Sequence, residues 1–451
     1  MALNLTQLLN LIEEMPAYHR LIYGLEHGDS STSAVVLEAA KPYLIAALYH
    51  RRRLPMLIIT AQPEKAKRQY EQMQAWSATM PLLLLPEPDA LPYQRIASDR
   101  SSELERLQVL SYLANSRSVA EPQVVVTSAP ALMQKTAAYT DFIATCHTIE
   151  VGMETDLFQL LSKWLAMGYR MENVVEVPGT ISHRGGIVDI YPLTSELPAR
   201  LEFFGNTIET IRLFDPANQR SLKPVPSLSV CTATELLSPL LGDRGKLEEV
   251  LNAIDLSNCN VEASQQFKQE LAMLLEGQTP DSIRFYAPLF NQDTILSYLP
   301  QDTLIVLDEP QSIRQAAEEL HTEAEELCAE KLRNGELPRN FPRPYFTWKE
   351  LEVNLETRQH LALTAWDTSD NELSYHLGFT PAASYAGRLP VFIKTVRQWL
   401  SQKCRLILVS HQASRLSELF EADDIIASPL TEIKQVPPPG SLTLVQGSLD
   451  E

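Results

Sequence analysis

The sequence predicts an α/β protein: a parallel-sheet domain interrupted by a small α+β domain and followed by a second small α/β domain. Three observations predict it. Continuous apolar runs such as VVVTSA (124–129) alternate with helical stretches, as buried parallel strands do. The segment around 180–215 reads as strands with a period of two, which indicates an antiparallel sheet. After a proline-rich linker (336–344), strands and helices alternate again.

Changes in composition and pattern divide the chain of 451 residues into five ranges. The parallel-sheet domain is predicted in two parts, 1–146 and 217–335, around the insert at 147–216. A linker at 336–349 leads to the last α/β domain at 350–451, where the chain stops directly after a strand. We therefore expect the chain to be a fragment of a longer protein.

Composition restricts the kind of protein further. The net charge is −19, which argues against general wrapping of a phosphate backbone. No apolar run reaches the length of a membrane span, and the N-terminus lacks the features of a signal peptide, so we expect a cytoplasmic protein without membrane contact. The five cysteines show no metal-ligand spacing and are expected to be reduced thiols.

The first domain is predicted from alternating elements. Its N-terminus reads as an amphipathic helix with Leu5, Leu8, Leu9 and Ile12 on one stripe. The predicted strands are 54–60, 81–86, 124–129 and, after the insert, 303–310. The predicted helices are 35–52, 64–78, 102–115 and 313–332. In the last domain the predicted strands are 361–366, 405–410 and 441–447.

The inserted domain contains a pattern typical of a binding surface. A helix at 157–167 precedes two strands, in HRGGIVDIYP (183–192) and ARLEFF (199–204). Because side chains alternate along a strand, Leu201 and Phe203 point toward a core. Arg200 and Phe204 then point the other way, toward water or a partner. From the pattern alone, a ring covered by a neighbouring element remained equally plausible for Phe204.

TLIVLDEP (303–310) has the form of a Walker B strand ending in Asp308 and Glu309, which in an ATPase hold Mg²⁺ and orient water. The matching phosphate loop is sought in GLEHGDSSTSA (24–34), with Gly28, Ser31 and Thr32. That segment lacks a lysine, and Lys41 is expected well inside the next helix. The sequence therefore predicts a degenerate P-loop ATPase-like domain, and no metal or catalytic residue is assigned.

Several stretches carry a family resemblance over nearly the whole chain. They are LPEPDALPYQRIASDRSSELERLQVL, VVVTSAPALMQK, GYRMENVVEVPGTISHRGGIVDIYP, LPARLEFFGNTIETIRLFDPANQRS and FYAPLFNQDTILSYLP. Together they resemble the N-terminal part of the bacterial transcription-repair coupling factors (Mfd). Two of them, RGGIVDIYP and RLEFFG, also resemble the excinuclease subunit UvrB.

The resemblance implies a function for the insert. In this family the inserted domain binds the repair protein UvrA, and the contact residues of the motif fall on Arg184, Arg200 and Phe204. The resemblance also implies that ATP, Mg²⁺, RNA polymerase and double-stranded DNA belong to other domains of the full-length proteins. For this chain itself we expect no cofactor.

Two alternatives remain open on the sequence. One is a UvrB-like or helicase-like ATPase that acts on damaged DNA through Asp308 and Glu309. The other is a structural scaffold that binds no UvrA. Nucleotide affinity would distinguish the first, and UvrA affinity the second.

Overall fold

A computed structural model describes residues 3–27, 31–77, 79–87, 90–95, 100–116, 121–235, 244–276, 278, 280, 282–366 and 374–449. The strands are β1 Ser31–Val35, β2 Met56–Thr60, β3 Leu82–Leu85, β4 Val124–Ser128, β5 His147–Glu150, β6 Arg170–Met171, β7 Thr180–Arg184, β8 Ile187–Ile190, β9 Ala199–Phe204, β10 Thr207–Phe214, β11 Ser221–Pro224, β12 Ser227–Val230, β13 Leu304–Asp308, β14 His360–Thr364, β15 Ser374–His376, β16 Leu406–Ser410, β17 Pro429–Leu430 and β18 Leu442–Gln446.

The α-helices lie between these strands, and a 3₁₀ helix, Thr6–Glu14, precedes the first. They are α1 Pro16–His27, α2 Lys41–Arg52, α3 Pro63–Trp76, α4 Arg100–Ser116, α5 Ala129–Met133, α6 Tyr139–Thr145, α7 Leu157–Ala166, α8 Arg244–Asn252, α9 Val261–Leu275, α10 Pro310–Arg333, α11 Trp348–Leu355, α12 Leu389–Ser401 and α13 Ala413–Glu421.

A parallel sheet of seven strands, in the order β15-β1-β14-β13-β2-β4-β3, forms the centre of the first domain. Every residue of β2 and β4 is buried, which explains why these strands are apolar on both faces. Apolar clusters cover the two faces of this sheet, and Leu8, Leu9 and Ile12 of the N-terminal 3₁₀ helix are buried. The predicted parallel-sheet fold is confirmed.

The structure corrects two local predictions in this sheet. The segment 361–366 was assigned to the last domain, but β14 lies between β1 and β13 of the large sheet. The helix predicted over 35–52 begins only at Lys41, because Ser31–Val35 forms β1 and pairs with β14 and β15. Both errors arose because strand pairing joins segments more than 300 residues apart, which local pattern does not show.

The inserted domain has a sheet of six strands in the order β11-β10-β9-β8-β7-β6. All neighbouring strands are antiparallel except β6 and β7. Asp156 caps the N-terminus of α7, and its side chain accepts a hydrogen bond from the backbone N–H of Gln159. The spacing predicts a stripe of Leu157, Leu160, Leu161, Trp164 and Leu165, and it is buried except for Leu165, which is 45% exposed.

Strands β5 and β12, which come before and after the six-stranded sheet in the sequence, pair as a two-stranded antiparallel sheet. They are called the neck strands below. Directly beyond the paired strands, Cys146 and Cys231 are joined by a disulfide, although they are 85 residues apart. The expectation of five reduced thiols was therefore wrong for these two residues. The pairing of His147 with Val230 brings the flanking cysteines together, and cysteine spacing alone does not encode that register.

The last domain contains a parallel sheet in the order β16-β18-β17, covered by α12 and α13. Val396 and Phe420 are buried between these helices and Leu444 of β18. Nowhere in the described ranges is there a helix long and apolar enough to cross a membrane.

Candidate protein interface

The sheet of the inserted domain has one covered and one open face. Register assigns Val188, Leu201 and Ile211 to one face, where all three are buried in the same apolar cluster as the buried side of α7. The opposite face shows polar side chains beside single apolar ones. This second face is called the open face below. Its members across β7–β10 are Ser182, Arg184, Ile187, Asp189, Arg200, Glu202, Phe204, Thr207, Thr210 and Arg212.

Phe204 lies at the end of β9, just before the turn at Gly205 and Asn206. Its side chain is 79% exposed, so the outward orientation predicted from strand parity is confirmed. Gly205 has φ +61°, where a side chain is disfavoured, and the space beside its Cα is open. Burying an exposed ring of this size supplies much of the energy of a protein interface.

Arg184 ends β7 and lies directly opposite Ile187 across the β7–β8 hairpin. It is exposed, and its Nη2 donates a hydrogen bond to the carbonyl oxygen of Asn173 at 2.5 Å. That bond orients the guanidinium without neutralising its charge. Arg184 therefore remains available to a carboxylate of a partner.

Arg200 differs from the sequence expectation. Its guanidinium forms a bidentate ion pair with Asp189, with Nε–Oδ1 2.7 Å and Nη2–Oδ2 2.9 Å. It also lies 4.8 Å from the centre of the buried Phe214 ring. Arg200 does point to the open face, but its guanidinium is already paired with Asp189 rather than free. The reason is register: β8 pairs with β9 so that Asp189 lies opposite Arg200.

Ile187 is a surface residue that the sequence motifs do not predict. It lies on the open face between Arg184 and Glu202 and is 38% exposed. Its place follows from strand parity, since Val188 and Ile190 share the buried face of β8 and Ile187 lies on the other face. The signal was present in RGGIVDIYP, but the adjacent branched residues Ile187 and Val188 hide which of them faces outward.

The predicted nucleotide site has a different geometry from that expected. Lys41 is the first residue of α2, not a residue well inside it, and its side chain is only 1% exposed. Its Nζ lies 2.5 Å from Asp308, 2.7 Å from Glu309 and 2.6 Å from Glu38. Burial by itself would lower the pKa of Lys41, but Asp308 and the hydrogen bonds to all three carboxylates raise it above its usual value.

This arrangement does not fit Mg²⁺ and ATP. The segment between β1 and α2, Val36–Ala40, has no glycine and turns into a short 3₁₀ helix, so it forms no cradle of N–H groups. Glu38 adds negative charge where phosphates would lie, and the ammonium of Lys41 fills the space among the carboxylates. Each charge here already has an internal partner.

The other predicted members of that site lie elsewhere. Ser31 and Thr32 belong to β1, and Ser31 pairs with His360 while Asp308 pairs with Leu363. Three residues of strand, about 10 Å, therefore separate Ser31 from the level of Asp308. Gly28 lies outside the described residues. The structure does not bring Ser31 and Thr32 together with Asp308 and Glu309.

Comparison with known proteins gives a family match for the inserted domain. The family model described as the UvrB interaction domain matches residues 148–236, which include the whole open face. Over 97% of the chain, a transcription-repair-coupling factor of Bacillus subtilis is 24% identical. The chain is similar over most of its length to a transcription-repair-coupling factor. This confirms the resemblance seen in the sequence motifs.

Two further relatives carry the same name. The protein of Myxococcus xanthus is 29% identical over 64% of the chain, and that of Escherichia coli is 25% identical over 65%. The chain spans 38% of the Bacillus protein and about a quarter of the other two. It therefore corresponds to a minor part of these coupling factors.

Proposed function

We propose that this chain is the UvrA-docking part of a transcription-repair coupling factor, and that UvrA binds the open face of the inserted domain. The observation that carries the proposal is the ring of Phe204, 79% exposed on a sheet face that lies within the match to the UvrB interaction domain. A purely structural scaffold would not bind UvrA, so a titration with UvrA separates the two functions.

The chemistry of the face supports a protein partner. Arg184 offers an unneutralised guanidinium, and Arg200 presents a guanidinium held in place by Asp189. Aromatic and arginine side chains are the residues that most often dominate interface energies. Because the sheet already fixes these side chains, little conformational entropy is lost when a partner docks.

In the proposed role, docking brings UvrA to RNA polymerase stalled on damaged DNA. The contacts with RNA polymerase and double-stranded DNA, and the ATP-driven movement along DNA, are assigned to other parts of a coupling factor. We infer that the first domain of this chain performs no ATPase reaction, because Lys41 neutralises Asp308 and Glu309 internally. Titration of the chain with ATP and Mg²⁺ tests this, and we expect no binding heat.

The docking proposal is tested with purified UvrA by isothermal titration calorimetry. We expect the unchanged chain to bind, and Phe204→Ala to weaken binding about tenfold or more. Val261→Ala is the control, since Val261 is an exposed apolar residue at the start of α9, outside the inserted domain. Equal affinity of Phe204→Ala and the unchanged chain would contradict the proposed face, and absent binding of the unchanged chain would contradict the function.

A further inference from the structure

The open face carries a second apolar side chain beside Phe204. We infer that Ile187 and Phe204 act together as one apolar anchor that enters an apolar depression on UvrA, while the charged residues around them align the two proteins. This inference rests on the proposed function, and it specifies the chemistry of the partner's surface. It assigns a docking role to Ile187 that neither motif nor charge pattern suggests.

The strand register places the two side chains side by side. Ile187 pairs with Glu202 across β8 and β9, and Phe204 is two residues beyond Glu202 on the same face. Phe204 is therefore the diagonal neighbour of Ile187, at the typical spacing of about 7–8 Å between such positions. The backbone N–H of Phe203 donates to the carbonyl oxygen of Gly186 at 2.8 Å, which extends the ladder to the hairpin turn and holds this spacing.

Neither apolar side chain is needed inside the domain. On β8, Val188 and Ile190 are fully buried in the same apolar cluster as the buried side of α7, and on β9 Leu201 occupies the corresponding place. Ile187 and Phe204 lie on the other side of the sheet, at 38% and 79% exposure. Their apolar area is thus available to be removed from water only when another protein covers it.

The charged neighbours are largely satisfied within the chain. Arg200 is paired with Asp189, and Glu202 accepts a hydrogen bond from Oγ1 of Thr210 at 2.8 Å. Of the ion-forming groups next to the anchor, Arg184 is the one bonded only to a backbone carbonyl among the described contacts. The complementary surface of UvrA is therefore an apolar depression with a carboxylate positioned opposite Arg184.

The test measures UvrA affinity for the full chain and five variants: Ile187→Ala, Phe204→Ala, the double variant, Ile187→Leu, and Val261→Ala as control. If the two residues form one anchor, Ile187→Ala weakens binding about tenfold, and the double variant loses less than the product of the two single losses. Ile187→Leu, which keeps the apolar volume, restores binding to near that of the unchanged chain. Thermal unfolding checks that every variant retains the fold.

The outcomes separate this inference from the proposed function. Binding by Ile187→Ala equal to the unchanged chain, together with a loss in Phe204→Ala, overturns the two-residue anchor and leaves UvrA docking intact. Losses that multiply independently also overturn it, because separate sites do not couple. If the unchanged chain does not bind UvrA, the proposed function fails and the anchor with it.

Discussion

Asp189 holds Arg200 through two parallel hydrogen bonds, and the two residues lie opposite each other on adjacent strands of the open face. The side chain of Asp189 is 8% exposed and that of Arg200 is 23% exposed. A guanidinium with this geometry is an internal structural element as well as a surface group. Replacing Arg200 should therefore lower the stability of the sheet, whether or not a partner is bound.

Replacing Arg200 with Ala should destabilise the inserted domain. The change leaves the buried carboxylate of Asp189 unpaired, which costs about 3 kcal/mol of unfolding free energy. Urea unfolding followed by circular dichroism measures this. Arg212→Ala is the control, because Arg212 is the exposed neighbour of Arg200 on β10, and we expect it to change stability by less than about 0.5 kcal/mol. Equal stability of the two variants would contradict a structural role for the pair.

Replacing Lys41 with Met should destabilise the first domain at neutral pH. Three carboxylates would lose their common cation, and removing one member of a buried ion pair costs about 3–5 kcal/mol. Because the pKa of Lys41 is raised, its contribution persists across neutral pH and is lost only as the pH rises above the usual lysine range.

Thermal unfolding with and without Mg²⁺ checks the assignment of Lys41. In Lys41→Met, Mg²⁺ should raise the melting temperature, since a cation can then enter among Glu38, Asp308 and Glu309. The unchanged chain should show no such rise. The double variant with Asp308→Asn should lose less stability than the sum of the single changes. A single variant as stable as the unchanged chain would show that the ammonium is dispensable.

The buried carboxyl group of Glu103 should make the free energy of unfolding depend on pH. Burial, with the nearby charge of Glu235, raises the pKa of Glu103 to about 7 from 4.5. Between these two pKa values the folded chain binds more protons than the unfolded chain. Glu103 therefore lowers the free energy of unfolding by about 2 kcal/mol as the pH rises from 5 to 8. Glu103→Gln should remove that part of the pH dependence. Glu105→Gln, at an exposed position of α4, should leave it unchanged.

Salt should distinguish the charged from the apolar contacts of the docking face. Arg184→Glu should weaken UvrA binding strongly at low salt and less at high salt, because added ions screen an exposed charge pair. Phe204→Ala should weaken UvrA binding by a similar factor at both salt concentrations, since salt does not screen the burial of a ring. Titrations at two ionic strengths measure this. A salt-dependent loss in Phe204→Ala would contradict its role as an apolar anchor.

Local pattern was enough to predict much of this molecule. The apolar runs of β2 and β4 predicted buried parallel strands, and the buried stripe of α7 followed from its helical spacing. The exposure of Phe204 followed from the period of two in ARLEFF. These features depend on the periodicity of one short segment, which the backbone geometry of a helix or strand imposes directly.

Contacts between distant segments were decided by the tertiary structure. Lys41 meets Asp308 across 267 positions of sequence, β14 joins the large sheet, and Cys146 meets Cys231 through the register of the neck strands. Asp189 lies only 11 positions from Arg200, yet the pair depends on the register of β8 against β9. The sequence by itself determined which side chains point outward; strand pairing decided which of them already have a partner, because register is a non-local property that single-segment periodicity does not contain.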